Sequence, residues 1–367
     1  MTRIEEVRVH RVSVPLHTPF VTAVRRTDSL DSVLVELVDS DGRSGWGEAP
    51  QAWRITGDSL ASAEACLEGP LAEVLVGAPA DPDVLAPRIA SAVVGNTGAR
   101  AAADTAVHDL AARAAGVSLA THLARRAGWS DPSGDAASVV PVDVTLAVDT
   151  ADAMAAAAEG RVAEGFGVLK LKVGTDPAGD AARVGAVRAA VGPDVVLRLD
   201  ANQGWTADEA VAVIRELEDA RVGVELVEQP TPRADRIGLA HVHAHVSTPV
   251  MADESLFDLA DLVELLRLGA VDMVNVKLTK CGGLTAALEL LDVARRHGLG
   301  LMVGSMMESH VGVGAAAALV AAVGEGCLAD LDAAWWLKES PVAGGIHYAR
   351  DRLLLPDGVG SGIGGLV

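Results

Sequence analysis

The stretch Val168-Leu169-Lys170-Leu171-Lys172-Val173-Gly174 is an apolar run of strand length that carries two lysines at i and i+2. Side chains two apart on a strand share a face, so both ammonium groups point the same way, about 7 Å apart. At an effective dielectric near 20 their repulsion is about 2.4 kcal/mol, enough to make one of them a candidate base. The chain has only five lysines against 25 arginines, and four of the five lie in two short stretches: Lys170 with Lys172, and Lys277 with Lys280. A general bias towards arginine accounts for the count and not for the placement. Arginine keeps its proton near neutral pH and lysine can lose it, so lysines retained in apolar runs mark proton transfer.

Other apolar runs also end on charge: Asp200, Glu228, Asp253, Lys277, then Asp330 with Asp332. From Lys172 to Lys277 the steps are 28, 28, 25 and 24 residues, each the length of one strand-plus-helix unit. A single acidic residue after a strand is often no more than a helix N-cap. That explanation fails for the whole series at one spacing.

The elements that must carry these residues emerge from patterning. Residues 4–14 and 32–39 alternate like strands, and Gly42, Gly45 and Gly47 punctuate the segment after them. From about 59 to 127 the pattern turns helical, with Ala-rich segments such as 99–115. The first unit, 1–127, therefore reads as an α+β domain, and a polar break at 129–136 separates it from a barrel unit, 137–340. There, short apolar strands alternate with helices of 12 to 15 residues eight times: 140–146, 168–173, 195–200, 224–228, 249–253, 272–277, 299–304 and 327–332. Helix starts carry capping signatures, Thr206 with Glu209 and Ser255 with Asp258. The fold class is α/β, a modified (β/α)8-type barrel with an N-terminal capping domain, completed by a C-terminal tail, 345–367, packing back onto it.

In such a barrel Asp200, Glu228 and Asp253, from adjacent strands, converge on one arc of the mouth. Three carboxylates that close require a cation, and oxygen-only ligation points to one Mg²⁺ per subunit, or Mn²⁺, and away from Zn²⁺. Lys172 and Lys277, from the second and sixth strands, stand on opposite sides of the ring. A metal beside two opposed amines suits removal of a proton α to a carboxylate: one lysine abstracts, an enediolate forms, and the other lysine returns a proton from the far face. Lys170 would lower the pKa of Lys172 and add positive charge beside the intermediate. Two further classes fit these residues, a carboxylate-binding protein without turnover and a Schiff-base aldolase using Lys172 or Lys277.

The motifs Lys170-Leu-Lys172, Asp200-Ala-Asn-Gln, Glu228-Gln-Pro, Met251-Ala-Asp253-Glu254-Ser and Asn275-Val-Lys277-Leu-Thr-Lys280-Cys-Gly-Gly, with Trp46-Gly-Glu-Ala-Pro50 in the first domain, resemble the enolase superfamily in its muconate-lactonizing-enzyme subgroup. Asp330-Leu-Asp332 on the eighth strand resembles the dipeptide epimerases of that subgroup. The resemblance implies a Mg²⁺-dependent epimerase that inverts the C-terminal residue of a dipeptide, plausibly L-Ala-D/L-Glu from peptidoglycan turnover. Its alternatives are N-acylamino-acid racemase, o-succinylbenzoate synthase and muconate cycloisomerase. Asp330 and Asp332, across the barrel from the metal, would hold the α-ammonium. Arg25 matches by position an arginine that meets a glutamate side chain, and Arg26 beside it departs from the pattern. Gln51, Trp53, Arg54 and the segment 55–58 belong to a second covering loop. Position 144 (Val144, beside Thr145), Asn202, Lys280, Ser305, Met306 and Glu308 complete the expected substrate contacts, and His310 is read as a pocket wall.

The net charge of −20 excludes nucleic acid and anionic membrane as partners, and a homo-oligomer acting on a small molecule is expected. Cys66, Cys281 and Cys327 are few and unpatterned, and the N-terminus has no continuous apolar run, which together indicate a cytoplasmic protein. His241, His243 and His245 fall on the helical stretch towards the barrel's far end and are set aside as a metal site. Gly360-Ser-Gly362-Ile-Gly-Gly365 has glycines at dinucleotide-loop spacing and no helix after it. Trp335 and Trp336 are read as packing residues.

Overall fold

The computed structural model describes residues 2–21, 26–129 and 138–367. Strands β1 (Ile4–Val21), β2 (Arg26–Asp39) and β3 (Ser44–Pro50) form an antiparallel sheet with β2 in the middle. Both faces of β2 are buried. Val33, Val35 and Leu37 pack among Ala99, Ala102, Ala103 and Ala106 of the helix Thr97–Ala114, while Leu34 packs with Trp46, Val311 and Ile363. Gly42, with a φ of 77°, turns the chain between β2 and β3, but Gly45 and Gly47 stand inside β3. A Cβ at Gly45 or Gly47 would collide with the carbonyls of Ala106 or Ala102, so the strand lies directly on the helix backbone.

After β4 (Val139–Pro141) come eight parallel strands: β5 (Val144–Leu146), β6 (Val168–Lys172), β7 (Val196–Asp200), β8 (Val224–Glu228), β9 (Val250–Ala252), β10 (Met273–Lys277), β11 (Gly300–Gly304) and β12 (Cys327–Asp330). Each hydrogen-bonds to the next in order, with helices between. The expected strand over 140–146 is two elements. Its first half pairs antiparallel with Arg352–Leu354 of the tail, and only its second half enters the barrel. No ladder joins β12 to β5 among the described residues. The seam is bridged by Thr145 N–H, which donates to Asp332 Oδ2 at 2.8 Å.

Thr206 and Glu209 form the reciprocal capping box their spacing predicts. Ser255 and Asp258 do not. Asp258 itself caps the helix Leu259–Leu268, and Ser255 is bound instead by the Gln229 side chain. Residues 360–363 reach back to the first helical region: Gly360 exchanges backbone hydrogen bonds with Val117 and Leu119, and Asp109 accepts from Ser361. Among the described residues no helix is long and apolar enough to cross a membrane.

Candidate active site

The strand pleat builds the site in two tiers. Leu226, Met251 and Met302, with Met273 and Leu328 against them, fill the barrel interior as an apolar floor. Two residues further along the same strands stand Glu228, Asp253, Gly304 and Asp330, which share the inward face because side chains recur every second residue. Gly304 is glycine because Lys277 crosses in front of it: a Cβ there would lie 2.9 Å from Lys277 Cε and 2.8 Å from Asn275 Oδ1.

Lys170 is the hub of the upper tier. Its Nζ lies 2.6 Å from Glu228 Oε2, 2.6 Å from Asp330 Oδ2 and 3.0 Å from Asp200 Oδ2. Lys172 Nζ donates to Asp200 Oδ2 at 2.6 Å, and Lys277 Nζ to Asp253 Oδ2 at 2.9 Å. At a dielectric near 20 each close contact of Lys170 is worth about 6 kcal/mol of Coulomb attraction, against about 3 kcal/mol or more of repulsion from Lys172, whose ammonium shares Asp200 Oδ2 with it. The pair on β6 is therefore not governed by mutual repulsion as the isolated strand suggests. Burial opposes the charge of Lys170, but Asp200, Asp330 and Glu228 outweigh it and hold the ammonium well above its ordinary range. Lys277 is likewise held up, burial being outweighed by Asp253 and Glu228.

The carboxylates divide. Burial raises both Asp200 and Asp253, yet the lysines beside them hold them below the usual range. Burial and the neighbouring carboxylates push Glu228 up to about 8 and Glu254 up to about 7. Two interlocked turns fix these groups. Gln229, with a left-handed φ of 37°, is fully buried, and its amide uses both ends. Oε1 accepts from the N–H groups of Asp253 and Ser255 (3.0 Å each), and Nε2 donates to Thr231 O (2.9 Å) and Ser255 Oγ (2.8 Å). An amide satisfied on all sides over-determines a strained backbone, which anchors Asp253 to the end of β8.

Above these groups lies a cavity of about 240 Å³, bounded by Lys172, Asp253 and Lys277 at its base, Asp330 and Asp332 on one side, and Gln51, Arg54 and Ile55 of the capping domain over it. Asn202, Ser305 and Met306 also line it, as their positions on the rim predict. Five expectations are corrected. Val144 points into the hydrophobic core, and Thr145 lines the cavity, because neighbouring strand residues face opposite ways. Lys280 is buried behind Asp253, donating to its carboxylate and backbone carbonyl, so it supports that residue instead of touching substrate. Glu308 turns away from the cavity, accepts from Met306 N–H at 2.8 Å, and is pushed up to about 8 by burial and by Glu48. His310 opens the helix His310–Val323 outside the cavity wall. Trp336 is more than packing: it lines the cavity and its Nε1 donates to Asp332 Oδ2 at 3.0 Å. Trp53 is largely exposed, at the rim of a neighbouring depression. Arg25 and the side chain of Arg26 lie outside the described residues.

Sequence reasoning passed over a lower ring. Arg198, two residues before Asp200, pairs with Asp143 (2.8 Å) and Glu225 (2.6 Å), and Asn275, two before Lys277, donates to Glu228 Oε1 at 2.8 Å. The same period of two that placed Lys170 beneath Lys172 would have found both. Tyr348 from the tail donates to Leu331 O at 2.6 Å, pinning the peptide between the two aspartates.

Among the described residues no three acidic side chains converge closely enough to hold a metal, because Lys170, Lys172 and Lys277 occupy the oxygens of Glu228, Asp200 and Asp253, but the donor chemistry is that of a divalent cation. The donors are all oxygen, Glu254 Oε2 is buried without a hydrogen-bond partner, and the buried cations Lys170, Lys172, Lys277, Lys280 and Arg198 face seven buried carboxylates, Asp143, Asp200, Glu228, Asp253, Glu254, Asp330 and Asp332. Glu228 and Glu254, which burial and neighbouring carboxylates push up, are the groups such a cation would hold ionised.

Lysines and carboxylates buried side by side at the C-terminal mouth of a parallel barrel, beneath a cavity, mark the place where this fold carries its active site. The "Enolase C-terminal domain-like" family profile matches residues 153–364, and the "Mandelate racemase / muconate lactonizing enzyme, N-terminal domain" profile matches residues 4–123. The chain is 39% identical over 363 residues to the L-Ala-D/L-Glu epimerase of Bacillus subtilis, covering 98% of this chain and 96% of that one. It is 38% identical over 364 residues to a hydrophobic dipeptide epimerase of Enterococcus faecalis, covering 98% and 99%. The crystal structure of the Enterococcus faecalis V583 dipeptide epimerase with Mg and L-Leu-L-Tyr superposes with a TM-score of 0.91 at 37% identity, covering 98% of this chain and 99% of that one. The chain belongs to the mandelate racemase and muconate-lactonizing-enzyme family of the enolase superfamily, and it is an isomerase of the racemase and epimerase kind.

Proposed function

We propose that this isomerase is a dipeptide epimerase that inverts the α-carbon of the C-terminal residue. The observation that carries the reading is that Asp330 and Asp332 line one cavity with Asp253, Lys172 and Lys277, while Asp200 and Glu228 lie buried beside it and share Lys170 with Asp330. A substrate held by its carboxylate at one end and by a cation at the other matches a free dipeptide, whose α-ammonium meets the two aspartates. The relatives named for dipeptide epimerisation support this reading, with L-Ala-D/L-Glu and hydrophobic dipeptides as the first substrates to test.

Asp200, Glu228 and Asp253 would hold Mg²⁺, or Mn²⁺. Bound there, the ion supplies electrophilic stabilisation of the negative charge that spreads onto the substrate carboxylate oxygens. The chain's own lysines move the protons. One takes the α-hydrogen as a proton, leaving its electron pair in the enediolate, and the other delivers a proton to the opposite face. The first lysine is left protonated and the second neutral, and exchange with solvent resets both. Lys170 adds positive charge beneath the developing anion. The packed floor and the cap exclude water from the intermediate.

Enzyme incubated with Mg²⁺ and a dipeptide library in D₂O is expected to incorporate deuterium at the C-terminal α-carbon of the product epimer. Absence of exchange across the library would sink the reading. An N-acylamino-acid racemase offers the second reading, and it has no use for two carboxylates at the amine end.

A further inference from the structure

Glu48 stands on β3 in the capping domain, yet its hydrogen bonds reach the barrel. It is 4% exposed, and its carboxylate accepts from Ser309 N–H with both oxygens (2.9 and 3.0 Å), from Ser309 Oγ (2.6 Å) and from Gly312 N–H (2.8 Å). These donors form the first turn of the helix His310–Val323, whose N–H groups have no partner within the helix. A carboxylate from one domain thus completes the helix start of the other, with the sign the helix dipole favours.

The position of this contact gives it a consequence. Immediately before Ser309, Glu308 accepts from Met306 N–H, and Met306 and Met307 form the β11 wall of the cavity. Gly312 is glycine where a Cβ would collide with Glu308 Oε2, so Glu308 and Glu48 pack around the same turn. On the other side, β3 ends at Pro50 and runs straight into Gln51, Arg54 and Ile55, the cap wall. Among the described residues, the hydrogen bonds that join these two walls run through Glu48.

With the substrate carboxylate towards Asp253, the amine towards β12, and Lys172 and Lys277 flanking the reacting carbon at the base, the side chain is left the direction of the cap. We propose that Glu48 is a positioning residue that sets the spacing between the cap wall and the β11 wall, and so the grip on the side chain of the inverted residue. This rests on the dipeptide reading for its kinetic consequence and on the geometry alone for the spacing.

The test uses the full enzyme with Glu48→Gln and with Ser309→Ala, which removes the hydroxyl donor to Glu48 together with the N-cap that the same hydroxyl gives Val311 N–H. Hydrogen exchange of residues 51–57 is expected to rise about tenfold or more, the loss of one charge-assisted hydrogen bond, with KM rising by a similar factor and kcat changing less than about threefold. The two changes are expected to be non-additive in the double variant. A lowered melting temperature with unchanged exchange in 51–57 and unchanged KM would reduce Glu48 to a purely structural role and overturn the proposal, as would a loss confined to kcat. If the unmodified enzyme epimerises no dipeptide, the function above fails, and the exchange measurement alone still decides the role of Glu48.

Discussion

Lys170 Nζ lies 2.6 Å from Asp330 Oδ2 and thereby ties the second barrel strand to the eighth through the barrel interior. The same ammonium meets Glu228 and Asp200, so one cation joins the proposed metal end of the site to the proposed amine end. Replacing it with methionine leaves three buried carboxylates short of a counter-charge. Lys170→Met is expected to lose about 3–5 kcal/mol of stability, measured by urea unfolding in the presence of EDTA, and about 10²–10³-fold in kcat. A neutral effect on both would show that the hub is dispensable.

Lys172 and Lys277 approach the cavity from β6 and β10 and should fail separately. Each alanine variant is expected to lose inversion by about 10²–10⁴-fold while still exchanging the α-hydrogen of one configuration, a different one in each variant. Proton NMR in D₂O with the two pure epimers reads this directly. Equal washout from both epimers in either variant would contradict opposed acid and base groups.

Asp330→Asn removes a buried charge from the end of the cavity where the amine is placed. Because Asp330 also holds Lys170, both substrates should lose activity, and for a free dipeptide kcat/KM is expected to fall about 30-fold further than for an N-acylated one, the cost of breaking a buried charge pair. Comparable losses on both substrates would favour the racemase reading.

Removal of divalent metal with EDTA is expected to abolish turnover, and Mg²⁺ or Mn²⁺ to restore it. Because Asp200, Glu228 and Asp253 are buried together, binding should also stabilise the fold, by about 2.7 kcal/mol at a hundredfold excess over Kd. Glu228→Gln should lose most of that stabilisation in a calorimetric titration that involves no substrate. A metal-independent melting temperature in both proteins would refute the assignment.

The cap-to-barrel interface holds a neutral histidine pair. His108 Nδ1 lies 3.1 Å from His122 Nε2, and His108 Nε2 lies 2.9 Å from Thr285 Oγ1 across the interface. Burial holds both rings down to about 3 from the ordinary 6.5, with Arg126 adding to it for both and His108 adding to it for His122. Between pH 6.5 and 3 the unfolded chain therefore binds more protons, so stability is present above 6.5 and is lost as pH falls, by at most about 1.4 kcal/mol per pH unit for each ring. Asp104, pushed up to about 6 by burial, works in the opposite direction and offsets part of this between pH 6 and 3.8. Glu228, Glu254 and Glu308, pushed up by burial, gain stability over the same range, so the pair is read as a difference: relative to the unmodified protein, the denaturant midpoint of His122→Asn should rise as pH falls from about 7.5 to about 5.

What the linear chain determined was the set of strand ends. A period of two, and a repeat of one strand and one helix, place Lys172, Asp200, Glu228, Asp253, Lys277 and Asp330 on one rim, since local geometry alone decides which way a strand residue faces. The capping box at Thr206 and Glu209 was legible for the same local reason. Contacts between distant segments were not. Lys170 read on its own strand is a repelled neighbour of Lys172, and only closure of the barrel brings Glu228 and Asp330 within 2.6 Å of it and reverses its electrostatics. Lys280 and Glu308 carry charges on the right loops, yet packing turns one behind Asp253 and the other towards Glu48. The bridge of Asp332 to Thr145 across the barrel seam and the reach of Glu48 to Ser309 span 187 and 261 residues. No local preference encodes such pairs, because their energy exists only once the intervening chain has folded and excluded water from them.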